Sequence, residues 1–232
     1  MKKYTFYALI CLTFSSILFS GCLKDDDIEP TPLAGFTMIN GYSDDLGVVY
    51  YADRQAILPL EYKSFSGVSL ITGNRNIIVK EYNSAKVLSD TSFAAQDSTF
   101  YSSFIFGTTD KPMHIITEDK AIQSLENAGI RFFNLSSGVT SRVSLQIGDE
   151  TIQPSFKDRA VETKTSALAN QGFISQSDGT FTLTIKDEAG ATIATKESVK
   201  LDAKRYYSII LIGQKDNAET PLYIGIVNQA AN

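Results

Sequence analysis

The sequence predicts an all-β chain built as two tandem sandwiches, and three observations carry that prediction. Apolar and polar residues alternate along short runs. "TFTLTIK" sets Phe181, Leu183 and Ile185 between threonines, "DEAG" supplies turn residues, and "ATIATKESVKL" alternates again, which together read as a hairpin of half-buried strands. Similar runs return at a spacing of roughly 8 to 12 residues, as in a sandwich of about seven strands. The chain after Leu33 also repeats itself once, and each copy is long enough to be an autonomous domain rather than a solenoid unit. Each copy is therefore expected to be an immunoglobulin-like β-sandwich.

The repeat is legible residue by residue. "AGFTMIN" (34–40) recurs as "AGIRFFN" (128–134), and "VVYYADRQAILP" as "RVSLQIGDETIQP". From "NIIVKEYN" and "FTLTIKDE" onward the copies run without a gap, setting Val79 over Ile185, Tyr101 over Tyr207 and Gly107 over Gly213. "TDKPMHIIT" then answers "AETPLYIGI". The run "RYYSIILIG" is apolar through its middle, as a central strand covered on both faces would be. These boundaries give a first sandwich at 34–119, a polar linker at 120–127 and a second sandwich at 128–232. An insertion at 155–173, poor in bulky apolar residues, reads as a long exposed loop of the second half, a candidate for recognition.

Ahead of the repeat the pattern changes. Lys2 and Lys3 precede a charge-free run from Tyr4 to Ser20, and the small residues Ser20 and Gly21 stand before Cys22. That is a basic n-region, an apolar h-region and a cleavage site between Gly21 and Cys22. The run falls short of the roughly 20 apolar residues a spanning helix needs and is diluted by Ser15, Ser16 and Ser20. Residues 1–21 are thus expected to be a signal peptide.

"FSGC" resembles the lipobox of bacterial lipoproteins, in which the cysteine receives a diacylglycerol on its sulfur and becomes the mature N-terminus. Phe19 stands where that family prefers leucine, and Leu18 lies one position earlier. The resemblance implies lipidation at Cys22 and outer-membrane lipid as a partner, since two or three acyl chains at about 0.8 kcal/mol per buried methylene make release negligible. An ordinary signal peptide ending at a cysteine would share the n- and h-regions. "CLKDDD" in turn resembles the surface-export signal of Bacteroidetes lipoproteins. It places Lys24, Asp25 and Asp26 behind the cysteine and implies an outer-membrane protein facing the cell exterior; an acidic tether would carry the same charges. "IEPTPLA", with Pro30 and Pro32, completes a stiff spacer over 22–33.

Composition narrows the function classes. Of two cysteines, Cys11 falls in the leader and Cys22 at the anchor, so the sandwiches must hold without disulfides. With 43% hydrophobic residues they have the core to do so. Loss of Lys2 and Lys3 with the leader takes the formal net charge from −5 to −7, which repels phosphate backbones and speaks against nucleic acid.

The paired "AG-x-x-x-x-N", the hairpin and "L-x-A-x-x-Y" before an apolar strand resemble the bacterial family called domain of unknown function 4397, whose lipoproteins carry such sandwiches singly or in tandem. The likeness covers about 34–119 and 128–230. The first half departs from it, with Gln96 and Asp97 in place of Asp202 and Ala203, and Phe100 in place of Tyr206. The resemblance implies fold and location and brings no catalytic residue.

Little in the chain suggests chemistry. The single histidine, His114, aligns with Tyr223 and so reads as structural. Without a second histidine or a free thiol, zinc sites and serine or cysteine nucleophile systems lack their parts. Three carboxylate pairs, Asp44 with Asp45, Glu118 with Asp119, and Asp187 with Glu188, fall in expected turns and read as solvated charge. No calcium loop or phosphate loop occurs, and no cofactor is expected. Eleven tyrosines and fourteen phenylalanines raise the question of sugar stacking, yet there is no tryptophan. Tyr50, Tyr51 and Tyr62 are the candidates for an exposed set, with at most one of the adjacent Tyr50 and Tyr51 facing outward. Of Tyr206 and Tyr207, one is expected in the core and one as a corner tyrosine bonded to loop backbone.

These features describe a non-enzymatic, lipid-anchored, monomeric binding or adhesive module for a protein or glycan ligand. Two alternatives stand beside it. One is a fimbrial subunit resembling fimbrillin lipoproteins, which would exchange terminal strands. The other is a glycan-binding accessory of an outer-membrane importer.

Overall fold

The computed structural model describes residues 30–43, 47–123 and 126–231. In the first half, turn residues punctuate the alternating runs into β1 (Leu33–Tyr42), β2 (Val48–Ala52), β3 (Gln55–Leu60), β4 (Phe65–Ile71), β5 (Gly73–Glu81), β6 (Val87–Ala95), β7 (Phe100–Thr108) and β8 (Lys111–Glu118). They form two sheets, ordered β4-β1-β7-β8 and β3-β2-β5-β6. The second half contains β9 (Ala128–Asn134), β10 (Val143–Ile147), β11 (Ile174–Gln176), β12 (Gly179–Asp187), β13 (Thr192–Leu201), β14 (Tyr206–Ile212) and β15 (Tyr223–Gln229). Its sheets are β11-β9-β14-β15 and β10-β12-β13.

Both halves are β-sandwiches of immunoglobulin-like architecture, as the alternation predicts, and they share one connectivity. The first strand of each pairs in parallel with the penultimate strand, Gly35 opposite Phe100 and Gly129 opposite Tyr206. Tyr50 lies opposite Val79 as Leu145 lies opposite Ile185. The halves differ at one edge: β3 has no counterpart, and a single bridge between Val143 and Arg159 stands where it would pair.

Small devices are duplicated with the strands. Asn40 Oδ1 accepts from the Tyr42 amide at 3.0 Å while its Nδ2 donates to the Leu60 carbonyl at 3.0 Å. Asn134 likewise accepts from the Ser136 amide at 3.3 Å and donates to the Arg159 carbonyl at 3.2 Å. The Tyr101 hydroxyl accepts from the Gln96 amide at 3.2 Å, and the Tyr207 hydroxyl from the Asp202 amide at 3.0 Å. Tyr207 is thus both core ring and corner tyrosine, leaving Tyr206 for the linker. Gly107 and Gly213 sit at φ 95° and 93°, where a Cβ would fall 2.3 Å from the Lys111 or Pro221 carbonyl oxygen. Only glycine fits both.

Each sandwich has its own core, around Phe36, Tyr50, Ile77 and Ile105 in the first and Phe132, Leu145, Ile185 and Leu211 in the second. A third cluster joins the halves. Ile39, Phe104, Phe106 and Ile115 pack on Phe133, Leu135, Ile210 and Ile212, with the Phe104 and Phe133 rings edge to face at 5.2 Å. The outer faces of β4-β1-β7-β8 and β11-β9-β14-β15 therefore cover each other. This is why "RYYSIILIG" runs apolar from Ile209 to Ile212: β14 is buried on both faces, the second time by the other half. The chain from Pro32 onward accordingly forms one compact unit.

A buried polar network crosses the same interface. Arg131 pairs with Asp119 at 2.6 Å with both side chains fully buried. Its Nε donates to Ser208 Oγ at 2.6 Å and its Nη1 to the Gln171 carbonyl at 3.0 Å, while Ser102 Oγ donates to Asp119 at 2.6 Å. Gln229 bonds Ser102 and Ser208. The guanidinium also lies over the Phe173 ring at 4.5 Å. Burying the two charges is tolerable because nearly every remaining donor and acceptor is taken up. Nearby, the Tyr206 hydroxyl accepts from the Ile122 amide at 2.9 Å and donates to its carbonyl at 3.2 Å, tying the linker to β14.

Two expectations are corrected here. The insertion at 155–173 is exposed at about half of its residues, as expected, but it is not a plain loop. It contains a 3₁₀ turn (Pro154–Phe156) and a helix α1 (Lys164–Ala169) capped reciprocally by Thr163 and Ser166. Phe156, Glu162, Ala167 and Phe173 are buried, and Ala167 belongs to the cluster between the halves. Its burial works through few apolar groups and many satisfied polar ones. Asp119, in turn, is not solvated turn charge, because its partner Arg131 arrives from the other half.

Candidate functional site

β6 and β8 are edge strands of the two sheets of the first sandwich, and α1 lies against β8. Between them runs a cleft of about 290 Å³. The first half supplies Phe93, Tyr101, Thr117 and Glu118 to its walls, and the second half supplies Lys164, Leu168 and Gln171 from α1 and the turn after it. Gln171 holds the junction, accepting from the Glu118 amide at 3.1 Å through its side chain while its carbonyl takes Arg131. Phe93 and Tyr101 meet edge to face at 5.0 Å and form an aromatic wall. Thr117 is 1% exposed, and its Oγ1 makes no hydrogen bond to the protein.

His114 lies at the inner end of this cleft. Ser89 Oγ stands 2.7 Å from its Nδ1 and Ser103 Oγ 2.7 Å from its Nε2, and the Tyr50 ring meets it edge-on at 6.3 Å. Desolvation, with a smaller push from Lys164, lowers its pKa to about 4. The ring is thus neutral near pH 7 and bonded through both nitrogens. Burial also pushes the Tyr50 phenol well above its ordinary range. Both ring nitrogens are taken by serine hydroxyls and no carboxylate among the described residues orients the histidine, so the arrangement reads as a hydrogen-bonded core rather than the base-and-orienter pairing of nucleophilic catalysis.

The alignment of His114 with Tyr223 is out by one residue. Ile105 pairs with His114 and its equivalent Leu211 with Ile224, whereas Phe106 pairs with Met113 and its equivalent Ile212 with Tyr223. His114 therefore corresponds to Ile224 and points into its sandwich, while Tyr223 joins the cluster between the halves. Because side chains alternate, a slip of one exchanges the faces.

Other sequence candidates fall as follows. Gly21, Cys22, Lys24, Asp25, Asp26, Asp44 and Asp45 lie outside the described residues. Asp187 caps its turn by accepting from the Ala191 amide at 2.9 Å. Tyr50 is buried and Tyr51 half-buried beneath Lys80, so the adjacent pair does split between faces. Tyr62, half-buried against Tyr223, has its pKa pushed up to about 12 by burial and by that neighbour. These three tyrosines form no common exposed face. Among the described residues no cluster of three or more His, Cys, Asp or Glu side chains could hold a metal. Thr117 and Gln171 were not legible as site residues, since each is ordinary in its own segment and gains its place from the other half.

No family model matches the chain, and no curated protein does. Among solved structures, the chain is similar to a family 26 carbohydrate-binding module of Eubacterium rectale Amy13K in complex with maltoheptaose. That match has 10% identity and a TM-score of 0.27, covering 86% of this chain and 98% of that one. It is also similar to a DUF3823 family protein from Bacteroides ovatus, at 11% identity and a TM-score of 0.22, covering 74% and 99%. At these scores the likenesses carry no argument, and the fold rests on the strand pairing above.

Proposed function

We propose that the protein is a non-catalytic binding module, tethered to outer-membrane lipid through acyl groups on Cys22 and displayed to the cell exterior, with the cleft under α1 as its ligand site. The observation that carries the reading is that both halves supply walls to this cleft, where Phe93 and Tyr101 meet edge to face; a second cleft that both halves line, between Met113 and Gln214, lacks such an aromatic pair. Pockets of this kind, mixing aromatic walls with a few convergent polar groups, are the usual form of small-ligand sites. The occupied nitrogens of His114 support a non-catalytic role. The pairing of β15 with β14 over seven positions within its own half supports a self-contained module over a strand-exchanging subunit.

Two measurements test this reading. Mass spectrometry of the envelope-derived protein is expected to find an acylated cysteine at residue 22 as the N-terminus, and protease added to intact cells is expected to remove the protein. An unmodified thiol there, or a retained leader, contradicts the anchor. Protection in intact cells contradicts display. Light scattering is expected to give a monomer, and polymer ladders would favour the fimbrial alternative.

A further inference from the structure

We propose that Ser102 of the first half and Gln229 of the second form an ester bond, made by the protein itself with release of ammonia, which ties the two sandwiches together covalently. Strand pairing makes Ser102 the counterpart of Ser208 and Asp119 that of Gln229, since Tyr101 pairs with Glu118 as Tyr207 pairs with Asn228. The halves thus bring equivalent positions face to face, with a carboxylate on one side and an amide on the other. A carboxylate bonded to a hydroxyl is a base with its nucleophile, and the amide is a group that nucleophile can attack. The step occurs once in each molecule and gives no turnover. It depends neither on the cleft under α1 nor on the anchor.

Each part of an acyl transfer is within reach. Ser102 Oγ donates to Asp119 Oδ2 at 2.6 Å, so the carboxylate is placed to take the hydroxyl proton. The same Oγ touches Gln229 Nε2, the atom next to the carbonyl carbon it attacks. Asp119 Oδ2 also accepts from Nε2 at 3.3 Å and can pass the proton on to the leaving nitrogen. Gln229 Oε1, where negative charge develops, accepts from Ser208 Oγ and from Arg131 Nη2, the latter at 3.4 Å. The Ser102 O–H bond and the Gln229 Cδ–Nε2 bond break, the Oγ–Cδ bond forms, and the hydroxyl proton departs on ammonia, with nothing else consumed. No member of the group is more than 6% exposed, which keeps out the water that would hydrolyse the ester. A tie between positions 127 apart constrains the unfolded chain as a long-loop disulfide would, in sandwiches that contain no cysteine.

The test is tandem mass spectrometry of tryptic peptides from the full-length protein, unfolded before digestion. Residues 102 and 229 are expected in one branched peptide, about 17 Da lighter than the two encoded peptides together because ammonia has left. Neutral hydroxylamine is expected to split that peptide, as it splits an ester and spares an amide. Ser102→Ala is expected to give two separate peptides, the one holding Gln229 at its encoded mass. Two unlinked peptides from the unaltered protein would overturn the proposal whatever the variant does, so the test does not depend on the variant folding. A branched peptide that survives Ser102→Ala, or whose fragments place the bond on Ser208, would overturn the tie between the halves.

Discussion

The two sandwiches share strand order, corner tyrosines and glycine turns, yet their cores differ at one set of equivalent positions. The first half holds Tyr50, Ser89, Ser103 and His114, linked by hydrogen bonds. The corresponding positions of the second half are Leu145, Ala194, Ile209 and Ile224, packed without a polar atom. One fold therefore tolerates a wet core or a dry one at the same place, provided the wet one is satisfied throughout. The wet core lies beside the cleft and the dry one does not. The polar core thus lies beside one of the clefts that both halves line.

This contrast can be broken most forcefully at the weld. Arg131→Met leaves Asp119 buried without its partner and is expected to cost about 3–5 kcal/mol in denaturant unfolding. The double variant Arg131→Met/Asp119→Leu, which removes both charges, is expected to recover much of that loss. If the single change costs under about 1 kcal/mol, the network is not what holds the halves.

The next effect is acid sensitivity confined to the wet core. The folded pKa of His114 is lowered from 6.5 to about 4, so between those values the unfolded chain binds the extra proton. Its contribution to stability is complete above pH 6.5 and is lost as pH falls toward 4. The loss is on the order of 1–3 kcal/mol. His114→Gln, which keeps hydrogen bonds to the serines without titrating, is expected to flatten this part of the stability–pH curve. An unchanged slope would show that the carboxylates alone set it.

A smaller effect sharpens the likeness between the halves. Tyr101→Phe and Tyr207→Phe each remove one corner hydroxyl and are expected to cost about 1 kcal/mol apiece, nearly equally. A marked inequality would mean that the two corners are alike in geometry alone.

The sequence made the strands and the duplication legible because alternation and turn residues are local signals, and because a gap-free stretch fixed Tyr101 on Tyr207. It misplaced β15 because the turn before it, after Gly213, is longer than the one after Gly107, and "PMH" and "PLY" then match by letter one residue out of register. It made Asp119 a loop charge because Arg131, which neutralises it, belongs to the other copy. It made 155–173 a plain exposed loop because Glu162, Ala167 and Gln171 look polar or small, although each is fixed by a contact distant in the chain, Glu162 through its amide to the Asn134 carbonyl. Nothing local marks Thr117. The site was hidden because it exists only between elements that composition cannot bring together.

The central claim is that two copies of one sandwich have become a single body whose junction forms the site. Scanning calorimetry of the full-length protein tests it most directly. One transition is expected, with calorimetric and van't Hoff enthalpies equal, displaced as a whole to lower temperature by Arg131→Met. Two separable transitions, only one of them moved by that change, would contradict it.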